Sequence, residues 1–221
     1  MKGRLIGIVG YAQHGKDSVG RMLVEGHGFT RYAFADQLKS MAFVLNPIVQ
    51  TYVFPKHPER LQTLVSLLGW DKAKEIAEVR RFLQVLGTEA VRDHLGENSW
   101  VDALGKKLKD DGAWAWDSEE DQNEWWWTKN VVVTDVRFPN EAEWIREMEG
   151  ELWRVKRVVR ETISIRDGAN PGREETEVPF DNGLGTDHPS ERYVKDLPFD
   201  RLLVAADLGE LEAGVKDAVG G

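Results

Sequence analysis

The chain has 221 residues, 38 acidic against 29 basic, and a formal net charge of −9. That length can bury a substantial core, and the acidic balance argues against a general nucleic-acid coat while allowing a local phosphate pocket. With no cysteine there is no disulfide, thiolate nucleophile or cysteine zinc site, and nowhere do the 18 apolar residues of a membrane span run together. The expectation is a cytoplasmic protein with no signal segment, no membrane contact and no nucleic-acid partner.

Leu5-Ile-Gly-Ile-Val9 is an apolar run suited to a buried strand, followed by Gly10, four variable residues, Gly15-Lys16, and then Val19, Met22 and Leu23 at helical spacing. Strand, glycine-bounded loop, lysine and helix are the parts of a phosphate-binding P-loop. Backbone N–H groups curl round a phosphate, the helix directs its positive end at it, and the lysine reaches the β and γ oxygens. Gly10, His14, Gly15, Lys16, Asp17 and Ser18 are the candidate ATP-binding residues. Where the motif has Ser or Thr directly after lysine, this chain has Asp17 and then Ser18. The Ser18 hydroxyl can still meet a phosphate or hydrated magnesium, and Asp17 can hold the metal through water.

The helix should end near His27-Gly28, and Thr30-Arg-Tyr-Ala-Phe-Ala35 alternates as a second strand would. Asp36-Gln-Leu-Lys39 then opens another helix, so Asp36 stands at a strand-to-helix junction, either as N-cap or at the carboxyl edge where α/β sheets place ligands. From Pro58 to Leu108 no strand is evident. Leu61, Leu64, Val65 and Leu68, then Val79, Phe82, Leu83, Leu86 and Ala90, predict a helical lobe. The second stripe leaves Arg80, Arg81, Gln84 and Thr88 beside or opposite it, with Arg92 a turn on: either a solvated face, or a grip on an acceptor phosphate and a base edge.

Residues 110–124 are dense in carboxylates and run into Trp125-Trp126-Trp127, reading as an exposed acidic loop whose tryptophans dock on the body. Asn130-Val-Val-Val-Thr-Asp-Val136 predicts a central parallel strand. Asp135 near its end is placed to hold magnesium or to cap the next helix, and Arg137 to reach a transferring phosphoryl group. Pro139 suits that helix's first turn, with Ala142, Ile145 and Met148 inward. Glu151–Val155 reads as another strand. The basic, glycine- and proline-containing segment after it, with Arg157, Arg160, Arg166 and Arg173, reads as a lid over phosphates or as a disordered loop. His188-Pro-Ser-Glu191 is too isolated for a metal site. Asp200–Ala206 and Leu208–Val219 predict a last strand and a closing helix with Leu211, Val215 and Ala218 inward. The expected architecture is one α/β P-loop NTPase domain, with a three-layer core at 1–50 and 128–221 and about five parallel strands. To it are added a helical insertion at about 56–112, the acidic Trp-rich loop 110–127, and a lid at about 156–185.

Together these stretches resemble the bacteriophage deoxynucleoside monophosphate kinases. The likeness rests on Gly10 to Ser18, Phe34-Ala-Asp-Gln-Leu-Lys39, Arg81-Phe-Leu-Gln-Val-Leu-Gly-Thr-Glu89 with Arg92, Trp100-Val101, Thr134-Asp-Val-Arg-Phe-Pro-Asn-Glu141 and His188-Pro-Ser-Glu191. The chain departs at Gln37, where proline is expected, and at Ala205-Ala206-Asp207-Leu208, where an Asn-Gly turn is typical. The Trp-rich loop has no counterpart.

The resemblance implies magnesium-dependent transfer of the γ-phosphoryl group of ATP to a deoxynucleoside 5′-monophosphate, in the host cytoplasm if phage-encoded. It gives Lys16, Arg137, Arg81 and Arg157 the catalytic parts, and Asp17, Ser18 and Asp135 the hydrated metal. Asp36, Lys39, Arg81, Gln84, Thr88, Arg92, Trp100 and Arg137 would bind the acceptor, and assembly as a homodimer stays open. Two rivals remain: a kinase of a hydroxyl, similar to dephospho-coenzyme A kinase, with Asp36 as base; and a nucleotide-binding regulatory switch, although the Asn-Lys-x-Asp base-reading motif is absent.

Overall fold

The computed structural model describes residues 2–50, 57–117, 124–167, 170–180 and 192–220. It divides into two compact units, Met1–Tyr32 with Lys109–Gly221, and Ala33–Leu108. In chain order, β1 (Leu5–Val9) leads through the glycine-bounded loop into α1 (Lys16–His27), then β2 (Phe29–Tyr32) and α2 (Phe34–Leu45). Short strands β3 (Ile48–Val49) and β4 (Glu59–Arg60) precede α3 (Leu61–Ala73) and α4 (Ala77–Val85). The last continues as a π-helix over Leu86–Arg92 and a final turn, α5 (Asp93–Leu95). After α6 (Ser99–Asp110) come β5 (Trp114–Asp117), β6 (Glu124–Trp127), β7 (Asn130–Val136), α7 (Pro139–Glu147), β8 (Glu151–Asp167), β9 (Asn170–Pro179), β10 (Arg201–Ala205) and α8 (Leu208–Gly220).

The first unit is built on a sheet of order β10-β8-β1-β7-β2, all neighbours parallel, with β9 antiparallel on the far part of β8. Strand alternation decides which helices cover which face. Ile6 and Ile8 of β1, with Trp153 of β8, pack against Val19 and Leu23 of α1 and Leu211 and Val215 of α8. On the opposite face, a Cβ at Gly7 would lie 3.1 Å from Ile145 of α7. Helices therefore cover both faces of a buried parallel sheet, the three-layer architecture of a P-loop NTPase-like fold. Among the described residues no helix is long and apolar enough to cross a membrane.

The second unit is helical, around a core that includes Leu61, Leu64, Val79, Leu83 and Trp100. Its α4 stripe departs from the even helical period. After Leu86 and Gly87, the next buried residue is Val91, 5% exposed, while Ala90 faces solvent. The π-helix explains this: i→i+5 bonding widens each turn, so the inward position falls a residue later.

Several local expectations are corrected. The second strand ends at Tyr32, and α2 begins at Phe34 with Ala33 as N-cap, so Asp36 lies within the first turn and does not cap it. Glu59–Arg60 pairs as a strand inside the stretch expected to be purely helical. Trp114–Asp117 and Glu124–Trp127 form an antiparallel ladder rather than a loop, and Trp127 is buried, its indole N–H donating to the Met148 carbonyl at 3.0 Å. Met148 itself follows the end of α7 and is half-buried. Residues 156–167 and 170–179, expected to be loop, extend β8 and form β9, paired from Val158↔Pro179 to Asp167↔Asn170. The rest of the expected lid, 181–185, and the His188–Glu191 stretch lie outside the described residues.

Candidate active site

At the carboxyl edge of β1 the chain turns from strand to helix through Gly10–Gly15. Gly15 is the N-cap of α1 with φ 97°, a left-handed conformation that suits a residue without Cβ. It supplies no side-chain acceptor, and the first N–H groups of any helix lack intrahelical partners, so this end of α1 carries the partial positive charge that favours an anion. Gly10 is needed for a different reason. A Cβ there would lie 2.7 Å from the Val155 carbonyl oxygen, so the loop passes directly over the β8 backbone.

Lys16 is 8% exposed, and a buried ammonium requires hydrogen-bond partners. Its Nζ donates to the carbonyls of Gly10 and Tyr11, both at 2.6 Å, so the lysine folds back across its own loop. His14, equally buried, stands between Tyr11 and Phe180, with ring centroids 5.4 and 5.9 Å away. Its Nδ1 accepts the Arg157 backbone N–H at 3.2 Å, while the Arg157 guanidinium lies 4.4 Å over the Phe180 ring. Loop and hairpin base are thereby joined through one imidazole, a contact that sequence spacing did not indicate. Asp17 is exposed and Ser18 half-buried in the first turn of α1.

The neighbouring strand brings in the second group. Val136 pairs with Val9, which places Asp135 beside the end of β1. Glu141, 3% exposed, accepts the backbone N–H groups of Arg137 and Phe138 through its Oε2, at 2.8 and 3.1 Å. The carboxylate that accepts the N-cap N–H of α7 is thus Glu141. The first unit therefore gathers Gly10, His14, Gly15, Lys16, Asp17, Ser18, Asp135, Arg137 and Arg157 around the loop and the strand ends flanking it.

Level with Val9 on the other side, Arg154 donates to the carbonyls of Val194 and Leu197 at 3.0 and 2.5 Å and lies 4.4 Å over the Phe199 ring. Burial draws its pKa below the usual arginine value. It anchors the turn before β10. A groove of about 370 Å³ between α7 and this turn, lined by Pro139, Ala142, Tyr193 and Leu197 among others, contains none of the candidate ligand-binding residues.

The remaining candidates belong to the second unit. Asp36 and Lys39 pair at 3.2 Å on α2. Arg81, Gln84 and Thr88 are exposed, and Arg92 donates to the Glu97 carbonyl at 3.4 Å. Trp100 is a core residue whose indole N–H donates to the Gly87 carbonyl at 2.9 Å, bracing the π-helix that carries Thr88 and Arg92. Any part it has in ligand binding is through that helix.

The donors near the loop, two carboxylates and a hydroxyl, are hard oxygens of the kind magnesium accepts alongside water and phosphate. Among the described residues no cluster of three or more His, Cys, Asp or Glu could form a cage for a metal on its own. No protein-family model matches the chain. It is 27% identical over 157 residues to a curated protein of Acanthamoeba polyphaga mimivirus named "Putative deoxynucleotide monophosphate kinase". The match covers 69% of this chain and 74% of that one.

Proposed function

We propose that the chain is a nucleotide kinase that transfers the γ-phosphoryl group of ATP to a deoxynucleoside 5′-monophosphate. The observation that carries this reading is the loop itself: a lysine gathered into a glycine-bounded turn at a helix N-terminus, beside a strand that carries Asp135 near its end, with Arg137 just beyond it. The mimivirus relative's name supports nucleotide kinase activity at the coarser level.

Lys16 and the first N–H groups of α1 bind the β and γ phosphates, exchanging the Gly10 and Tyr11 carbonyls for phosphate oxygens. Asp17, Ser18 and Asp135 would hold a hydrated Mg²⁺, which when bound neutralises charge on the β and γ oxygens. An acceptor phosphate oxygen attacks the γ phosphorus as its bond to the β–γ bridging oxygen breaks, and ADP leaves. Because that acceptor is already anionic at neutral pH, no general base is needed, and positioning and charge neutralisation suffice. Arg137 and Arg81 bind the acceptor phosphate and Arg157 the transferring group. Asp36, Lys39, Thr88 and Arg92 contact the acceptor, and Gln84 reads its base.

The hydroxyl-kinase alternative needs Asp36 as a base, and Asp36 is ion-paired with Lys39 on the same helix. Asp36→Asn separates the two, since loss of turnover at normal acceptor binding would favour the alternative. The principal test is ADP release from ATP and magnesium against a panel of deoxynucleoside and ribonucleoside monophosphates. Acceptor-dependent turnover that disappears in Lys16→Ala is the expected result. ATP binding with no response to any monophosphate would overturn the assignment.

A further inference from the structure

Glu141 is the most deeply buried carboxylate beside the proposed phosphate chemistry, and no catalytic role uses it. A buried charge is costly unless hydrogen bonded, and here a single atom, Oε2, takes both the Arg137 and the Phe138 backbone N–H. The position is favourable because the carboxylate lies in the first turn of α7, at the positive end of the helix. The neighbouring residues are fixed too. Pro139 opens the helix, and the Phe138 ring packs on Tyr193 with centroids 5.9 Å apart. The turn leaving β7 therefore has two successive N–H groups tied to one oxygen, in the three residues that follow Asp135.

From this geometry we infer that Glu141 is a positioning residue for phosphoryl transfer. It fixes the main chain of Arg137, so that the guanidinium is presented to phosphate from a rigid base. Because this role presupposes the kinase reading, the test must report on the clamp and on turnover separately. Both bonds run to one oxygen, so the clamp requires an acceptor at that point rather than a negative charge, and a glutamine amide oxygen can replace it. Shortening the side chain by one methylene withdraws the oxygen from both donors. Aspartate is also well tolerated in a helix first turn, which keeps that variant folded.

The experiment compares wild type with Glu141→Gln, Glu141→Asp and Glu141→Ala. Steady-state turnover with ATP and the preferred monophosphate is measured beside amide hydrogen exchange at Arg137 and Phe138. In Glu141→Asp and Glu141→Ala the two amides exchange faster and kcat falls roughly 10- to 100-fold, the scale of displacing a positioned group by about 1 Å, while the KM for ATP stays within about twofold. Glu141→Gln restores both protection and turnover. Faster exchange with wild-type kcat would overturn the positioning role and leave the kinase reading intact. Unchanged exchange in Glu141→Ala would overturn the clamp. A wild-type protein with protected amides but no acceptor-dependent turnover would instead overturn the kinase reading, and the catalytic role of Glu141 with it.

Discussion

Two glycines of α1 should respond in opposite directions to the same substitution. Gly20 faces β7, and a Cβ built on it would lie 2.5 Å from Cγ2 of Thr134, itself 2% exposed. Ordinary carbon contacts are about 3.5–4.0 Å, so the buried Thr134 side chain or the helix must give by about 1 Å. Replacing a helical glycine by alanine gains about 0.5–1 kcal/mol, whereas overpacking a tight core costs about 1–3 kcal/mol, so Gly20→Ala should lose about 1–2 kcal/mol. Gly26, in the last turn of the same helix, has nothing within 4 Å of its Cβ position and does not adopt positive φ. Gly26→Ala should therefore gain the helix term alone. Thermal denaturation of the two variants beside wild type is the assay, at about 2–4 °C for each kcal/mol in a chain of this size. Thr134→Ser removes Cγ2 and should recover most of the loss when combined with Gly20→Ala. Shifts of the same sign in both variants, or a double variant no better than Gly20→Ala, would refute the packing argument.

Two further outcomes follow from the sites described. The Tyr32 hydroxyl donates to Asp111 at 2.9 Å, and burial, that hydrogen bond and the carboxylate's charge push its pKa up to about 12 from 10.0. Between those values the unfolded chain loses the phenolic proton while the folded chain keeps it, so stability present below the lower value drains away as pH rises. Urea midpoints across that window should fall more steeply for wild type than for Tyr32→Phe, and parallel slopes would remove Tyr32 as the cause. If Gln84 reads the base, Gln84→Ala should compress the kcat/KM ratio between the best and worst monophosphate bases by about tenfold or more, since unpaired polar groups carry such discrimination. An unchanged ratio would show that the base is read elsewhere.

How much of this was legible in the sequence depended on how local the cause was. The loop could be read from spacing alone, because Gly10, Gly15 and Lys16 are fixed by the covalent chain and flanked by clear strand and helix patterns. The five parallel strands and the inward face of α8 also followed from periodicity. The π-helix did not. Its single-residue phase change turns Val91 inward and Ala90 outward, and both residues are apolar, so composition could not separate the alternatives. Nor did the β8–β9 ladder, because its mostly polar and charged residues alternate only briefly, from Thr162 to Arg166, and its two strands satisfy each other's backbone groups. Asp36 illustrates the limit at element ends, since moving the helix start by two residues changes a capping residue into one within the first turn. Glu141 was visible only as part of a family-like motif. Its chemistry comes from backbone donors that no residue code displays.

The strand order also governs when the protein can assemble. β1 precedes its partners in the chain and occupies the middle of the sheet, yet Leu5 pairs with Val131 and Ile6 with Glu151, and even β2 waits for β7. Emerging from the ribosome, the phosphate-binding loop therefore has no sheet to stand on until β7 has been synthesised. The intervening helical residues, whose contacts lie nearer in sequence, can close first. Holding the apolar β1 without its partners through that interval makes this segment the point at which chaperone occupancy or a translational pause would most affect yield.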